Sequence, residues 1–191
     1  KGTTIYDEGL RIPVVKLYDR GVLVKDVMDL IMLNFQMKYE RHGDLNAQII
    51  TNQFGADKLV ELIDKIGLDT YDEFCIKWLE YGERKARLAI TELPDGEYHF
   101  EDFLDDDGAG NKNLLIKTRI TIKGDSITFD FTGTCRQVSG PYNCVPCALK
   151  ATVYYSMMSI LDNTIPANSG FFESINIIAE PGRSEERRVG K

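Results

Sequence analysis

A chain of 191 residues, 43% hydrophobic and 28% charged, has enough apolar material for a core of ordinary domain size and no signature of disorder. Its net charge of −7 and pI near 4.9 leave no basic field for nucleic acid or an anionic membrane surface. The acidity reads as solubility.

The sequence opens on Lys1-Gly2-Thr3-Thr4 with no signal peptide behind it. The expectation is an internal piece of a larger, soluble subunit. Four cysteines without an even framework suit the reducing cytoplasm better than a secreted scaffold. The most apolar run, Cys144 to Leu161, is interrupted by Lys150 and several hydroxyl side chains and is too short to span a membrane.

The first half reads as helical. Asp26 to Phe35 is apolar on nearly every side, as in a buried helix. Asp44 to Ile66 sets Leu59, Leu62, Ile63 and Ile66 on one face, with Gly55 expected to break or kink it. Thr70-x-x-Glu73 has the form of a capping box. It would start a third helix, with Tyr71, Phe74, Cys75 and Trp78 on one face, running to about Glu92. Leu93-Pro94-Asp95-Gly96 then turns the chain.

The second half changes period. Glu97 to Phe103 is strand-like, and Leu114 to Ile122 alternates, with Ile116, Thr118, Ile120 and Ile122 on one face. After a turn at Lys123-Gly124-Asp125, Ser126 to Thr132 alternates again. Ile127, Phe129 and Phe131 point one way and Thr128, Asp130 and Thr132 the other, so a hairpin with one buried face is expected. A buried helix over about Val145 to Leu161 and a strand over Ser174 to Ala179 complete the pattern. The fold class is α+β: a helical first half, then antiparallel strands with a buried helix. Arg183-Ser184-Glu185 through Lys191 has no apolar face. It is expected to be an assembly scar outside the fold, or else a solvated tail.

The most informative stretch is Asp130 to Asn143. A carboxylate on a strand's polar face meets a loop of Gly, Thr and Ser. The loop delivers Asn143 as the expected N-cap of a helix whose first turn contains Pro146. Unpaired N–H groups and the helix dipole there suit an anion or a developing oxyanion. A plain strand–turn–helix connection would look the same. Cys144-x-x-Cys147 lacks further ligands at zinc spacing and fits core packing better. Asp105-Asp106-Asp107-Gly108 lacks the spacing of a calcium loop and reads as a solvated turn. His42 and His99 have no metal or triad partner, and no phosphate-binding glycine motif occurs. Glu8 and Arg11 form either a surface ion pair or the edge of a site.

Taken in order, four segments resemble the hydantoinase B/oxoprolinase family. They are Ile5-Tyr6-Asp7-Glu8-Gly9-Leu10-Arg11-Ile12-Pro13, Gly43-Asp44-Leu45-Asn46-Ala47-Gln48, Asp130-Phe131-Thr132-Gly133-Thr134 through Gly140-Pro141-Tyr142-Asn143, and Ile165-Pro166-Ala167-Asn168-Ser169-Gly170. The Pro94-Asp95-Gly96 turn adds to them. Two places depart from the family pattern, Cys135-Arg136 and Phe35-Gln36-Met37-Lys38-Tyr39.

The resemblance implies a partial domain over residues 1–182 and a non-family tail over 183–191. It implies the B-type subunit of an ATP-dependent cyclic-amide hydrolase that opens hydantoin or 5-oxoproline rings. ATP would sit on an A-type partner subunit in a hetero-oligomer, and a divalent metal would be held by ligands outside this sequence, with none inside it. Asp130 would be catalytic, accepting hydrogen bonds from substrate or orienting a water. Glu8, Arg11, Thr132 and Asn143 would shape the pocket. A carboxylase of the acetone or acetophenone type and a non-catalytic scaffold segment are the two alternatives.

Overall fold

The computed structural model describes residues 10–138, 142–180 and 182, and divides at Asp72/Glu73 into two compact units. The proposed tail over 183–191 lies outside the described residues.

In the first unit, β1 (Tyr18–Asp19) and β2 (Val22–Leu23) form a minimal hairpin. Its two turn residues, Arg20 and Gly21, both have positive φ, as a tight hairpin turn demands. Helix α1 (Lys25–Leu33) follows. Its composition predicts burial throughout, yet only Met28 and Ile31 are buried and Leu30 and Leu33 are exposed. Helix α2 (Lys38–Ile66) starts earlier than its periodicity suggests and runs unbroken through Gly43 and Gly55. A glycine weakens a helix without removing any of its hydrogen bonds, so Gly55 does not break this one. The helix stops at Gly67, whose φ of 84° turns the chain. No residue of α2 is buried. Its expected face is present, with Leu59 and Leu62 still exposed.

Helix α3 (Leu68–Thr91) begins directly after Gly67. Thr70 and Glu73 therefore lie inside it, and the expected capping box is not its start. The buried face is Gly82, Ala86 and Ile90, while Phe74 and Trp78 of the expected apolar face are exposed.

The second unit is built on a four-stranded sheet of order β3-β4-β5-β6 (Gly96–Asp106, Lys112–Lys123, Ser126–Asp130, Ile175–Ile178). Its class is α+β as expected, but the sheet is mixed. β3, β4 and β5 pair antiparallel, whereas β6 runs parallel to β5. The link from β5 to β6 carries α4 (Pro146–Ile160) and α5 (Ser169–Phe172). Parallel pairing needs a crossover of at least a dozen residues, and this connection is long enough to supply it. The core joins Ala86 and Ile90 of α3, Ile127, Phe129 and Phe131 around β5, and Leu149, Val153 and Met157 of α4. α4 is buried along that stripe only, since Tyr155 and Ile160 are exposed.

The β3–β4 loop is more than a solvated turn. Asp107 is buried, and its carboxylate accepts hydrogen bonds from the backbone N–H of Ala109 and Asn111 and from the Asn111 amide at 2.6–3.0 Å. A buried carboxylate is tolerable only with such a full set of donors.

Thr134 is also fully buried. Its hydroxyl accepts from the Lys117 N–H and donates to the Lys117 carbonyl, both at 3.0 Å. It stitches the loop after β5 to β4 where β5 has ended. Thr134→Val keeps the shape and strands both Lys117 groups. Chemical denaturation should show a loss of roughly 1–3 kcal/mol, the cost of unsatisfied buried polar groups.

Candidate functional site

The loop after β5 holds three of the sequence-predicted site residues. Asp130 ends β5 and is buried. One of its oxygens accepts the Thr132 N–H at 2.9 Å, and the other is paired with the Arg119 guanidinium. Arg119 is opposite Asp130 in the β4–β5 register. Its side chain is 48% exposed against 9% for Asp130, so the pair is anchored at its carboxylate end and open at its cationic end. Thr132 itself is exposed.

The Asp130 carboxyl titrates below its ordinary value. Hydrogen bonds from Thr132 are the leading cause, burial opposes them, and Arg119 adds to the lowering. The carboxylate is thus ionised throughout the neutral range and is not poised for proton transfer near pH 7. Asp107 is lowered too, chiefly by the Asn111 side chain. Both folded-state values lie below the unfolded ones. The stability these groups confer is complete above the ordinary aspartate value of 3.8 and is lost as pH falls through the depressed folded values. The protection of amides in the Asp107 and Asp130 loops, relative to the unfolded chain at the same pH, should therefore hold from pH 7 down to about pH 5 and fall by pH 3. Equal protection at pH 7 and pH 3 would contradict this account.

Asn143 does not cap α4. The N-cap position is Val145, with no side-chain cap and Pro146 in the first turn. Asn143 instead closes the loop on itself. Its Oδ1 accepts the Val138 N–H at 3.0 Å, and its Nδ2 donates to the Val138 carbonyl at 2.7 Å. An amide can satisfy an N–H and a C=O of one residue at once, and here that outweighs the local preference for a cap. Further along the loop the Cys135 N–H bonds to the Leu115 carbonyl and the Gln137 N–H to that of Gly182, at 2.9 and 3.0 Å. The loop is thereby fixed at its base by Asp130, at its side by Thr134 and near its far end by Asn143.

Glu8 lies outside the described residues. Arg11 lies in the first unit, exposed in an irregular stretch. Its neighbours Leu10 and Ile12 line an open cleft of about 720 Å³ there, with Phe35, Arg41, Asp44 and Gln48. Arg41 and Asp44 pair across one helical turn at 3.1 Å. Cys144 packs against the core and Cys147 is exposed. Core packing therefore accounts for the first of the pair only.

Sequence reasoning misses Arg119, Thr134 and the function of Asn168. Arg119 is within its reach: counting outward from the Lys123–Ser126 turn pairs it with Asp130. Asn168 and Gly170 stand in a recognised segment whose purpose shows only in three dimensions. Asn168 donates to the Trp78 carbonyl of α3 at 2.9 Å and accepts the Phe171 N–H at 3.2 Å. A Cβ on Gly170 would overlap the Leu79 carbonyl of the same helix.

Among the described residues no three or more His, Cys, Asp or Glu side chains are grouped to hold a metal ion. No described helix is long and apolar enough to cross a membrane.

The hydantoinase B/oxoprolinase family model matches residues 1–184, and the chain belongs to that family. It is 36% identical over 188 residues to a proposed B-type subunit of a D-/L-hydantoinase from Pseudomonas sp. (strain NS671), covering 93% of this chain and 32% of that protein. It is 26% identical to the acetophenone carboxylase delta subunit of Aromatoleum aromaticum, covering 91% of this chain and 26% of that protein. The crystal structure of an ATP-dependent caprolactamase from Pseudomonas jessenii superposes with a TM-score of 0.88 at 30% identity, over 96% of this chain and 32% of that one. The chain thus spans a third or less of the length of the curated relatives it matches.

Proposed function

We propose that this chain is part of the B-type subunit of an ATP-dependent hydrolase that opens a cyclic amide such as hydantoin or 5-oxoproline, and that the β5–α4 loop is one wall of its site. The observation that carries the reading is family membership along nearly the whole chain, with a hydantoinase and a caprolactamase among the relatives. In this reading ATP sits on an A-type partner, and any metal is held by ligands outside this sequence.

The residues of this chain would bind and orient. Asp130 has both oxygens committed, so its role is to hold Arg119 and the Thr132 turn in place. The Thr132 side chain is itself hydrogen-bonded to Asp130, which leaves the half-exposed Arg119 guanidinium as the group that reaches solvent. A guanidinium fixed from behind can offer its remaining N–H donors to a carbonyl oxygen gaining negative charge. Asn143 holds the loop that carries Thr132.

The carboxylase reading is favoured by one observation, the acetophenone carboxylase delta subunit among the relatives. Both readings are tested with the purified full-length complex, ATP and labelled bicarbonate, offered a cyclic amide and, separately, a ketone such as acetophenone. Ring-opened product formed with ATP and without incorporated label supports the hydrolase. Product that carries the label supports the carboxylase. Turnover unaffected by omitting ATP would remove both.

A further inference from the structure

One face of α3 is already occupied: Gly82, Ala86 and Ile90 are buried and the Trp78 carbonyl receives Asn168. A different face carries an aromatic ridge. Phe74 stacks on Trp78 and Trp78 on Tyr81, with ring centres 5.9 and 5.6 Å apart and planes within 15°. The Arg84 guanidinium lies 5.8 Å from the Tyr81 ring. With Lys77 and Glu80 these side chains border an open groove of about 460 Å³. Phe74 is 56% and Trp78 44% exposed. A contiguous exposed aromatic surface of this kind marks an interface.

We propose that the Phe74–Trp78–Tyr81 ridge is covered by the polypeptide that flanks this sequence in the full-length subunit. Two observations select that occupant. The first is length: relatives align with this chain over a third or less of their own residues, so in a subunit of their length at least twice as much polypeptide again would be available to pack on it. The second is the distribution of exposed apolar side chains. They are not confined to the ridge, for Ile50 and Phe54 of α2 and Phe100 and Phe103 of edge strand β3 are also exposed. Among the described residues, exposed large apolar side chains outnumber buried ones. A partner subunit or a second copy covers one patch, typically of about 20–30 residues a side. Apolar faces spread over α2, α3 and β3 are what a segment embedded in a larger fold presents. The inference rests on family membership and not on the ring-opening chemistry, so either can fail alone.

The test uses the full-length subunit purified without its partners. Tyr81→Cys is labelled with a maleimide and the modification at position 81 is read by peptide mass spectrometry, native against unfolded. Labelling slowed about ten-fold or more, equivalent to about 1.4 kcal/mol of protection, is the expected result. Because Cys can itself disturb packing, oxidative footprinting of Trp78 in the unaltered subunit gives a second reading, with protection expected there too. Labelling and footprinting as fast as in the unfolded chain would overturn the inference. Protection that arises only when the partner subunit is added would assign the ridge to that partner, and protection that depends on subunit concentration would assign it to a second copy. Either result would also overturn it.

Discussion

Gly170→Ala is expected to destabilise the chain by about 3 kcal/mol, the upper end of the usual cost of overpacking. The new methyl group meets the Leu79 carbonyl of α3, a backbone atom. That carbonyl cannot retreat without distorting a helix whose following turns are packed at Gly82, Ala86 and Ile90. In a domain of this size the loss corresponds to a fall in Tm of roughly 6–12 °C. Gly82→Ala meets only the Asn168 amide, the end of a side chain. It should cost less, roughly 1–2 kcal/mol, through the hydrogen bonds that Asn168 makes to Trp78 and Phe171. Thermal unfolding of the two variants checks the order. A Gly170→Ala protein that melts with the wild type would mean that the Asn168–Gly170 segment does not press on α3.

Asp130→Asn is expected to lower ATP-dependent turnover of the full-length complex about 100-fold, the scale on which misplacement of a positioned group by an ångström acts. Asn retains an acceptor for the Thr132 N–H but lacks the charge that holds Arg119. The subunit should stay folded, because Thr134 and Asn143 still tie the loop to β4 and to Val138. A positioning role predicts more than a lower rate. The pH profile should keep its shape, since Asp130 is ionised on both sides of neutrality in the wild type and supplies no titrating proton there. Arg119→Ala should reproduce the defect, and the double variant should be little worse than either single one, as expected for two residues acting as a unit. Wild-type turnover in Asp130→Asn would remove the pair from the site.

The legible parts of this fold are those where periodicity decides. The alternation of Ile127, Phe129 and Phe131 against Asp130 and Thr132 locates β5 and its buried face, the 3.6-residue spacing locates α2 and α3, and an apolar run locates α4. Periodicity carries no information about strand direction, so the parallel pairing of β6 with β5 is not accessible from it. Helix ends are decided by backbone geometry. Gly67, with its positive φ, separates α2 from α3, while the Thr70-x-x-Glu73 pattern lies unused within the helix. Amphipathic spacing also shows which face of a helix needs cover without showing what covers it. That is why α2 can be placed from sequence while the absence of any buried residue along it cannot.

The candidate site divides along the same line. Asp130, Thr132 and Asn143 are conspicuous in the sequence because they are polar side chains in a loop between a strand and a helix. Their partners are less so: Arg119 lies on a different strand and is reached only by counting the register out from the Lys123–Ser126 turn, and Val138 is met only when the loop closes. The expected cap at Asn143 is a local inference that loses to a tertiary one: the same amide is better satisfied by bridging both backbone groups of Val138. Arg119, the group the structure leaves exposed in front of Asp130, changes the emphasis of the site from a carboxylate to a guanidinium.

The claim that the β5–α4 loop is a wall of the substrate site is tested most directly by hydrogen exchange in the full-length complex. Exchange over residues 130–138 and 142–146 is compared with ATP alone and with ATP plus an unreactive cyclic-amide analogue. Slower exchange at Thr132 and the residues after it, appearing only with the analogue, is the expected result. Identical exchange under the two conditions, with protection confined to other parts of the complex, would contradict it.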